Sequence, residues 1–261
     1  MKFTLFFLYP MLSFSIVMQS PKSKSYYVDN WENFHNKVTK NINEHPIIKQ
    51  NNYTNNFAKG EASLIEQQVL TQQFSVFTQW FLVSQLLKII NTPDIYEMQI
   101  QNEKFNFRSS RFEKFLEFAK KLDLSYEELG KRDYASLYTL YFCDELNRLY
   151  GSDDTTISIA STYAFEIWIQ TNFWDELIEG FEKINENRKS AGEDNLPLFF
   201  WTYNSRMEKQ NGIHTIHDLK RLYVNGHIED EEKFIYISLR LLDAIDVFWS
   251  NLNKTELCKS S

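Results

Sequence analysis

The chain has 261 residues, a formal net charge of −7, and only seven glycines and five prolines. So few turn-forming residues argue against β-sandwiches and doubly wound sheets, and for long helices. Lys and Arg are interspersed with Asp and Glu and form no basic stripe, which excludes the usual electrostatic footprint of a nucleic-acid-binding protein. Hydrophobic residues make up 43% of the chain, with 22 Phe among them, enough to fill one thick core. The two cysteines, Cys143 and Cys258, are far apart, so neither a disulfide framework nor a Cys-rich metal site is expected.

Residues 1–17 (MKFTLFFLYPMLSFSIV) place Lys2 before an apolar run, as a signal peptide does. Pro10 interrupts the run, no Ala-x-Ala-type cleavage site follows, and the stretch is too short and broken for a stable membrane span. Two readings stay open: an export signal, or sequence upstream of a start at Met18. The expected layout is 1–25 as this signal-like or mis-assigned segment, 26–254 as one helical domain and 255–261 as a frayed tail. The expected location is cytoplasmic, or secreted or periplasmic if residues 1–17 are a genuine signal.

From there helical periodicity recurs. Residues 28–43 put Trp31, Phe34, Val38 and Ile42 on one face. After Pro46 and Gly60 a long central helix is predicted over about 61–90, burying Leu64, Val69, Phe74, Phe77, Phe81 and Leu86, and stopped by Asn91-Thr92-Pro93. An amphipathic helix follows over 110–122, and Ser125 with Glu128 reads as a capping box. Helices are predicted over 133–149 and from Thr155 towards Gly180 or beyond, then an exposed loop over 186–195. Further helices are read from Pro197 to about Asn211, over 214–224 and over 230–252. The acidic run at 229–233 suits the first turn of the last one, where negative charge complements the helix dipole. The reading is all-α, with about seven or eight helices in a single domain.

Three segments carry candidate chemistry: 163–181, 198–223 and 241–249. With His45-Pro46, Lys59-Gly60-Glu61, the Tyr163/Glu166/Trp168 pattern and Asp246/Phe248/Trp249, they resemble the heme-oxygenase-like superfamily. Within it they look most like the iron-containing redox enzymes, or heme-oxygenase-like diiron oxidases, related to the chlamydial death-domain-associated protein. The resemblance implies a heme-oxygenase-like helical bundle and an oxygen-activating iron site. In that family a His-x-x-x-Glu/Asp-x-x-His segment puts three ligands on one helix face, since offsets of 0, 4 and 7 fall within about 60° of arc. Carried over residue by residue, Glu166 matches the central-helix carboxylate and Glu208 that of the late helix. The flanking imidazole positions fall on Asn204 and Asn211, and an amide is a poor iron ligand beside His. The long helix, the expected source of the remaining ligands, offers Glu61 and Glu66 but no His; its middle holds Gln72, Gln73 and Gln79.

The expected metal set is therefore Glu166, Glu208 and His214 as a substitute imidazole, with iron as the cofactor. His214 and His217 also read plainly as polar residues on a surface face, and His35 as a residue at the boundary of an amphipathic helix. Glu166 sits in an apolar run (AFEIWI) and must be ligated, paired or hydrogen-bonded. Three functions stay open. The first is a non-heme iron oxidase or oxygenase acting on a small organic substrate. The second is a metal-free module on the same fold that binds a small molecule or a protein partner. The third resembles the thiaminase-like relatives, with Cys143 as the one core candidate for a nucleophile; its plainer reading is a buried thiol. The expected partners are a small-molecule substrate or ligand and, left open, a second copy in a homodimer. No nucleic acid is expected.

Overall fold

Local sequence sets where each helix begins. Side chains of Ser23, Asn51, Ser63, Ser136, Asp154 and Asp230 each accept a backbone N–H at a helix start, satisfying donors that no helical carbonyl can reach. The computed structural model describes residues 23–92, 95–109 and 112–258, with side chains described except at 96–97, 104, 107–109 and 209–214. In chain order the helices are α1 (Lys24–Glu44), α2 (Pro46–Lys49), α3 (Asn52–Phe57), α4 (Leu64–Asn91), α5 (Ile95–Ser109) and α6 (Phe112–Lys120). They continue with α7 (Leu137–Tyr150), α8 (Thr155–Trp168), α9 (Phe173–Ser190), α10 (Phe199–Val224) and α11 (Glu231–Ser250). No strand occurs among the described residues. Residues 1–22 lie outside them, so the signal-like segment is not described.

The all-α reading holds, with differences in detail. α4 starts at Leu64 rather than near 61, because Ser63 and Glu66 form a capping box. Leu64 and Leu86, expected inside, are 46% and 42% exposed. α5 has no counterpart in the periodicity reading. The helix from Thr155 ends at Trp168, where Thr171 Oγ1 caps the Trp168 carbonyl at 2.8 Å, and α9 begins separately. Residues 186–190, read as loop, finish α9. The two helices read at 197–211 and 214–224 are one, because α10 runs unbroken through Gly212.

The core is aromatic. Phe34, Phe74, Phe77, Phe81, Phe115, Phe118, Phe142, Phe165, Trp168, Trp201 and Trp249 pack in one continuous cluster. α4 runs through it with Phe74, Phe77 and Phe81 inward, and packs on α7; α11 packs on both α7 and α8. The α8–α11 contact is close because α8 shows it small residues. Ala160 and Ala164 are fully buried, and Ser238 Oγ donates to the Ala160 carbonyl at 3.2 Å. At Gly180 a Cβ would stand 2.4 Å from the Phe57 carbonyl oxygen, so only glycine lets α9 lie against α3.

α4 also carries a buried polar stripe. Gln68 Nε2 donates to the Leu122 carbonyl at 2.8 Å. The Gln72 amide pairs with both backbone groups of Cys258, donating at 2.7 Å and accepting at 3.1 Å. Gln73 donates to the Tyr134 carbonyl at 2.9 Å and accepts from Ser136 N–H at 2.8 Å and Thr139 Oγ1 at 2.7 Å. Ser75 Oγ accepts from Gly130 N–H at 2.9 Å. These side chains satisfy backbone groups of the 122–136 connection and of the C-terminal segment, which lack helical partners of their own.

Two side-chain clamps complete the packing. His45 Nδ1 accepts the Ile47 N–H at 3.4 Å, leaving Nε2 to donate to Asp243 at 3.1 Å, which ties the α1–α2 corner to α11. Glu145 of α7 takes forked bonds from Arg148 and from Arg240 of α11, the shortest at 2.7 and 2.8 Å. Burial alone would raise the Glu145 carboxyl, but the two guanidinium groups hold it below the usual carboxylate range.

Gln73→Ala should destabilise the protein by about 2–4 kcal/mol, since it strands two backbone groups and a hydroxyl in a buried place. Gln79→Ala, on an exposed position of the same helix, should stay within about 0.5 kcal/mol of the parent. Equilibrium urea unfolding checks both.

Candidate functional site

α8 has two faces. Ala160, Ala164 and Phe165 turn to the core, whereas Ser158, Ile159, Thr162, Tyr163 and Glu166 share the other side, at helical offsets of 0, 1, 4, 5 and 8. This side forms one wall of a cavity of about 120 Å³. α10 supplies a second wall through Thr215, Asp218, Leu219 and Leu222, again one helix face. The end of α4 brings Lys88, Asn91 and Thr92, and α5 brings Gln101. Asp153 and His227 stand exposed at the mouth. Gln170 links the two walls, donating to the Glu166 carbonyl at 2.6 Å and to Thr215 Oγ1 at 3.4 Å.

Four polar groups, Lys88, Thr162, Tyr163 and Glu166, line the interior. Lys88 is 8% exposed; its Nζ donates to Thr162 Oγ1 and lies 4.8 Å from the Tyr150 ring centroid. The aromatic face and the hydroxyl stabilise a charge that the apolar surroundings penalise. Thr162 Oγ1 in turn donates to the Ser158 carbonyl at 2.6 Å. Glu166, 4% exposed, follows Thr162 by one helical turn on the same wall. Tyr163 stands between them, its hydroxyl pushed up by burial and partly offset by a bond with Thr39.

The expected site residues separate here. Glu166 lines the cavity. Glu208 is buried on α10, 2% exposed, but does not belong to the cavity lining. Asn204 is buried and spends its amide N–H on the Phe200 carbonyl, four residues earlier, at 2.7 Å. The side chains of His214 and Asn211 lie outside the described residues. His217 is exposed, and His35 stacks on Trp31 with ring centroids 5.0 Å apart, both as their plainer readings expect. Glu66 is committed to the start of α4, where its Oε2 accepts the Ser63 N–H at 2.7 Å. Gln72 and Gln73, at the level where the long helix was expected to supply ligands, hold backbone instead.

The described residues do not by themselves supply an iron-binding set. Among the described residues no group of three or more His, Cys, Asp or Glu comes together to hold a metal ion. Glu166 shares the cavity lining with the Lys88 ammonium, which opposes a dication. Lys88 is the site residue the sequence reading missed. Its signal was a lone charge in an apolar run (SQLLKII) near a helix end.

Cys143 is fully buried, and burial pushes its thiol up to about 12, Arg132 pulling back less than burial raises it. It is also absent from the cavity lining. Such a thiol carries almost no thiolate at neutral pH, which weighs against a nucleophilic role. At about pH 8, iodoacetamide should label Cys258 in the native protein and leave Cys143 unmodified until denaturant is added; peptide mass spectrometry checks this.

No protein-family model matches the chain, and no curated protein matches it. No helix among the described residues is long and apolar enough to cross a membrane. Solved structures do match its fold. A TenA homolog from Pseudomonas syringae pv. tomato superposes with a TM-score of 0.63 at 10% identity, covering 91% of this chain and 98% of that one. A TenA homologue from P. horikoshii gives a TM-score of 0.55 at 13% identity, covering 87% of this chain and 98% of that one. At such identities the likeness is one of fold: the chain has the heme-oxygenase-like helical bundle of the TenA proteins.

Proposed function

We propose that the chain binds a small polar organic molecule in the cavity between α8 and α10, through its own side chains and without a metal. The observation that carries this reading is the cavity wall itself. It brings the buried side chains of Lys88 and Glu166 into one lining, beside apolar Ile159, Leu219 and Leu222 and below a mouth open to solvent. Concave sites with apolar walls and a few convergent polar groups are the usual form of small-molecule sites. A dry cavity of about 150 Å³ takes benzene, so this volume suits a ligand of about five or six non-hydrogen atoms. Reaction chemistry on such a ligand would fall to Glu166 as acid or base, with Tyr163 as a neutral hydrogen-bond partner. The TenA homologs share the bundle, which supports a small-molecule site inside it only by analogy of fold.

The iron-dependent oxidase reading has less support, because the donors it needs are amides at Asn204 and Asn211 and a carboxylate, Glu208, outside the cavity lining.

A ligand-observed NMR screen of polar fragments, run on the full chain and on Leu222→Trp, tests the proposal. Leu222 is a partly buried cavity residue, so the indole should fill the space and abolish fragment signals while the variant stays folded. Fragments that bind both proteins alike would count against the cavity. Protein expressed in iron-supplemented medium should carry no stoichiometric iron; near-stoichiometric iron would overturn the metal-free part of the reading.

A further inference from the structure

Resting on that reading, we propose that the ligand is a small neutral carboxamide, held edge to edge by the side chain of Gln101. α5 brings Gln101 into the cavity lining, where it is 8% exposed. Other polar side chains there are committed to the protein. Lys88 and Glu166 have partners within it, and Asn91 Nδ2 donates to the Gly151 carbonyl at 2.6 Å. Gln101 differs: among the described residues its amide has no hydrogen-bond partner. A buried amide left unpaired is costly, and a ligand that pairs with it recovers that cost. Gln72 shows what a buried carboxamide takes in this fold, donating to and accepting from the backbone of Cys258.

Hydrogen-bond chemistry selects the class. Gln101 offers an N–H donor beside a C=O acceptor, and the edge that answers it has a C=O beside an N–H. A carboxylate only accepts, and would set an oxygen against the Gln101 oxygen. An ammonium only donates, and would leave the Gln101 N–H unpaired. The lining hydroxyls call for a second donor. Thr92 Oγ1 donates to the Lys88 carbonyl at 2.6 Å, Ser158 Oγ to the Tyr150 carbonyl at 3.1 Å and Thr162 Oγ1 to the Ser158 carbonyl at 2.6 Å. With their protons spent on backbone, these hydroxyls can only accept. A primary carboxamide has one N–H for Gln101 and another for a hydroxyl oxygen. It needs no net charge, since the charged groups of the lining have partners, and the exposed Asp153 at the mouth disfavours an anion. The volume of about 120 Å³ leaves room for a short alkyl chain against Ile159, Leu219 and Leu222.

The test is isothermal titration of the full chain with four compounds of similar size. They are butyramide (donor and acceptor), 2-pentanone (acceptor only, a methyl replacing the amide nitrogen), butyrate (carboxylate) and butylamine (ammonium). Butyramide should bind at least tenfold more tightly than the other three. Gln101→Leu should weaken butyramide at least tenfold and bring it level with 2-pentanone. This variant should melt no lower than the parent, because it strands no protein partner. A marked fall in melting temperature would mean that the amide serves the fold, and unchanged butyramide binding that it does not meet the ligand; either overturns the proposal. The four-compound series on the parent chain decides independently of the variant. If 2-pentanone, butyrate or butylamine matches butyramide, the carboxamide proposal is overturned and the cavity reading stands. If neither these compounds nor the polar fragments bind, both fall.

Discussion

The carboxamide stripe on α4 is the constraint on which the rest of the bundle hangs. An aromatic core attracts helices without telling them where to stop, because dispersion and burial are non-directional. The stripe adds direction. Gln68, Gln72 and Gln73 each present an amide to a backbone group that has no helical partner, and so fix the 122–136 connection and the C-terminal segment against one particular turn of α4. With the connection fixed, α7 starts where Thr139 meets Gln73, and α7 then positions α11 through the Glu145 clamp. A buried amide that lost its partner would cost more than the bond contributes, which makes the register of these contacts a specific one.

The cavity follows from the same arrangement at the other end of α4. Its final turns carry Lys88, which reaches across to Thr162 and crosses the Tyr150 ring on the way. α8 can present a polar wall there because its other face is small and close-packed on α11, through Ala160, Ala164 and the Ser238 bond. Asp154 joins the two roles. It caps α8 by accepting the Ile157 N–H at 3.0 Å and takes the Lys233 ammonium of α11 at 2.6 Å, which holds the polar wall at a set distance from the core. Packing on one side of the helix thus fixes the chemistry on the other.

Fold and chemistry separate in this protein. The bundle superposes on TenA homologs along most of both chains at an identity near one residue in ten, so the likeness is one of fold and carries no chemistry with it. At the two positions where the resemblance implies imidazoles this chain has asparagines, and the one whose side chain is described, Asn204, bonds back to its own helix. Replacing metal ligands by amides does not empty a bundle of polar groups; it leaves groups that must find partners among themselves. Asn204 found backbone, and the cavity between α8 and α10 gathers other polar groups, Lys88 and Glu166 among them.

What the sequence determined by itself was the class and the periodic elements. Trp31, Phe34, Val38 and Ile42 fell on one buried face, the Ser125–Glu128 box and the acidic start of α11 sat where the spacing put them, and scarce Gly and Pro left helices as the economical solution. These are local matters, fixed by a 3.6-residue period and by side chains that reach their own backbone. Tertiary structure decided the rest. Leu64 and Leu86 have core-type side chains but face solvent, because burial depends on which neighbours a helix face meets. Gly212 did not split α10, since packing at both ends of a helix outweighs one weak residue. Glu166 announced itself as a charge in an apolar run, but that Lys88 lines the same cavity could not be read from the chain, because the two lie 78 residues apart and only the fold brings them to one lining. A buried charge is legible in one dimension, and what compensates it is not, since compensation depends on distance in space.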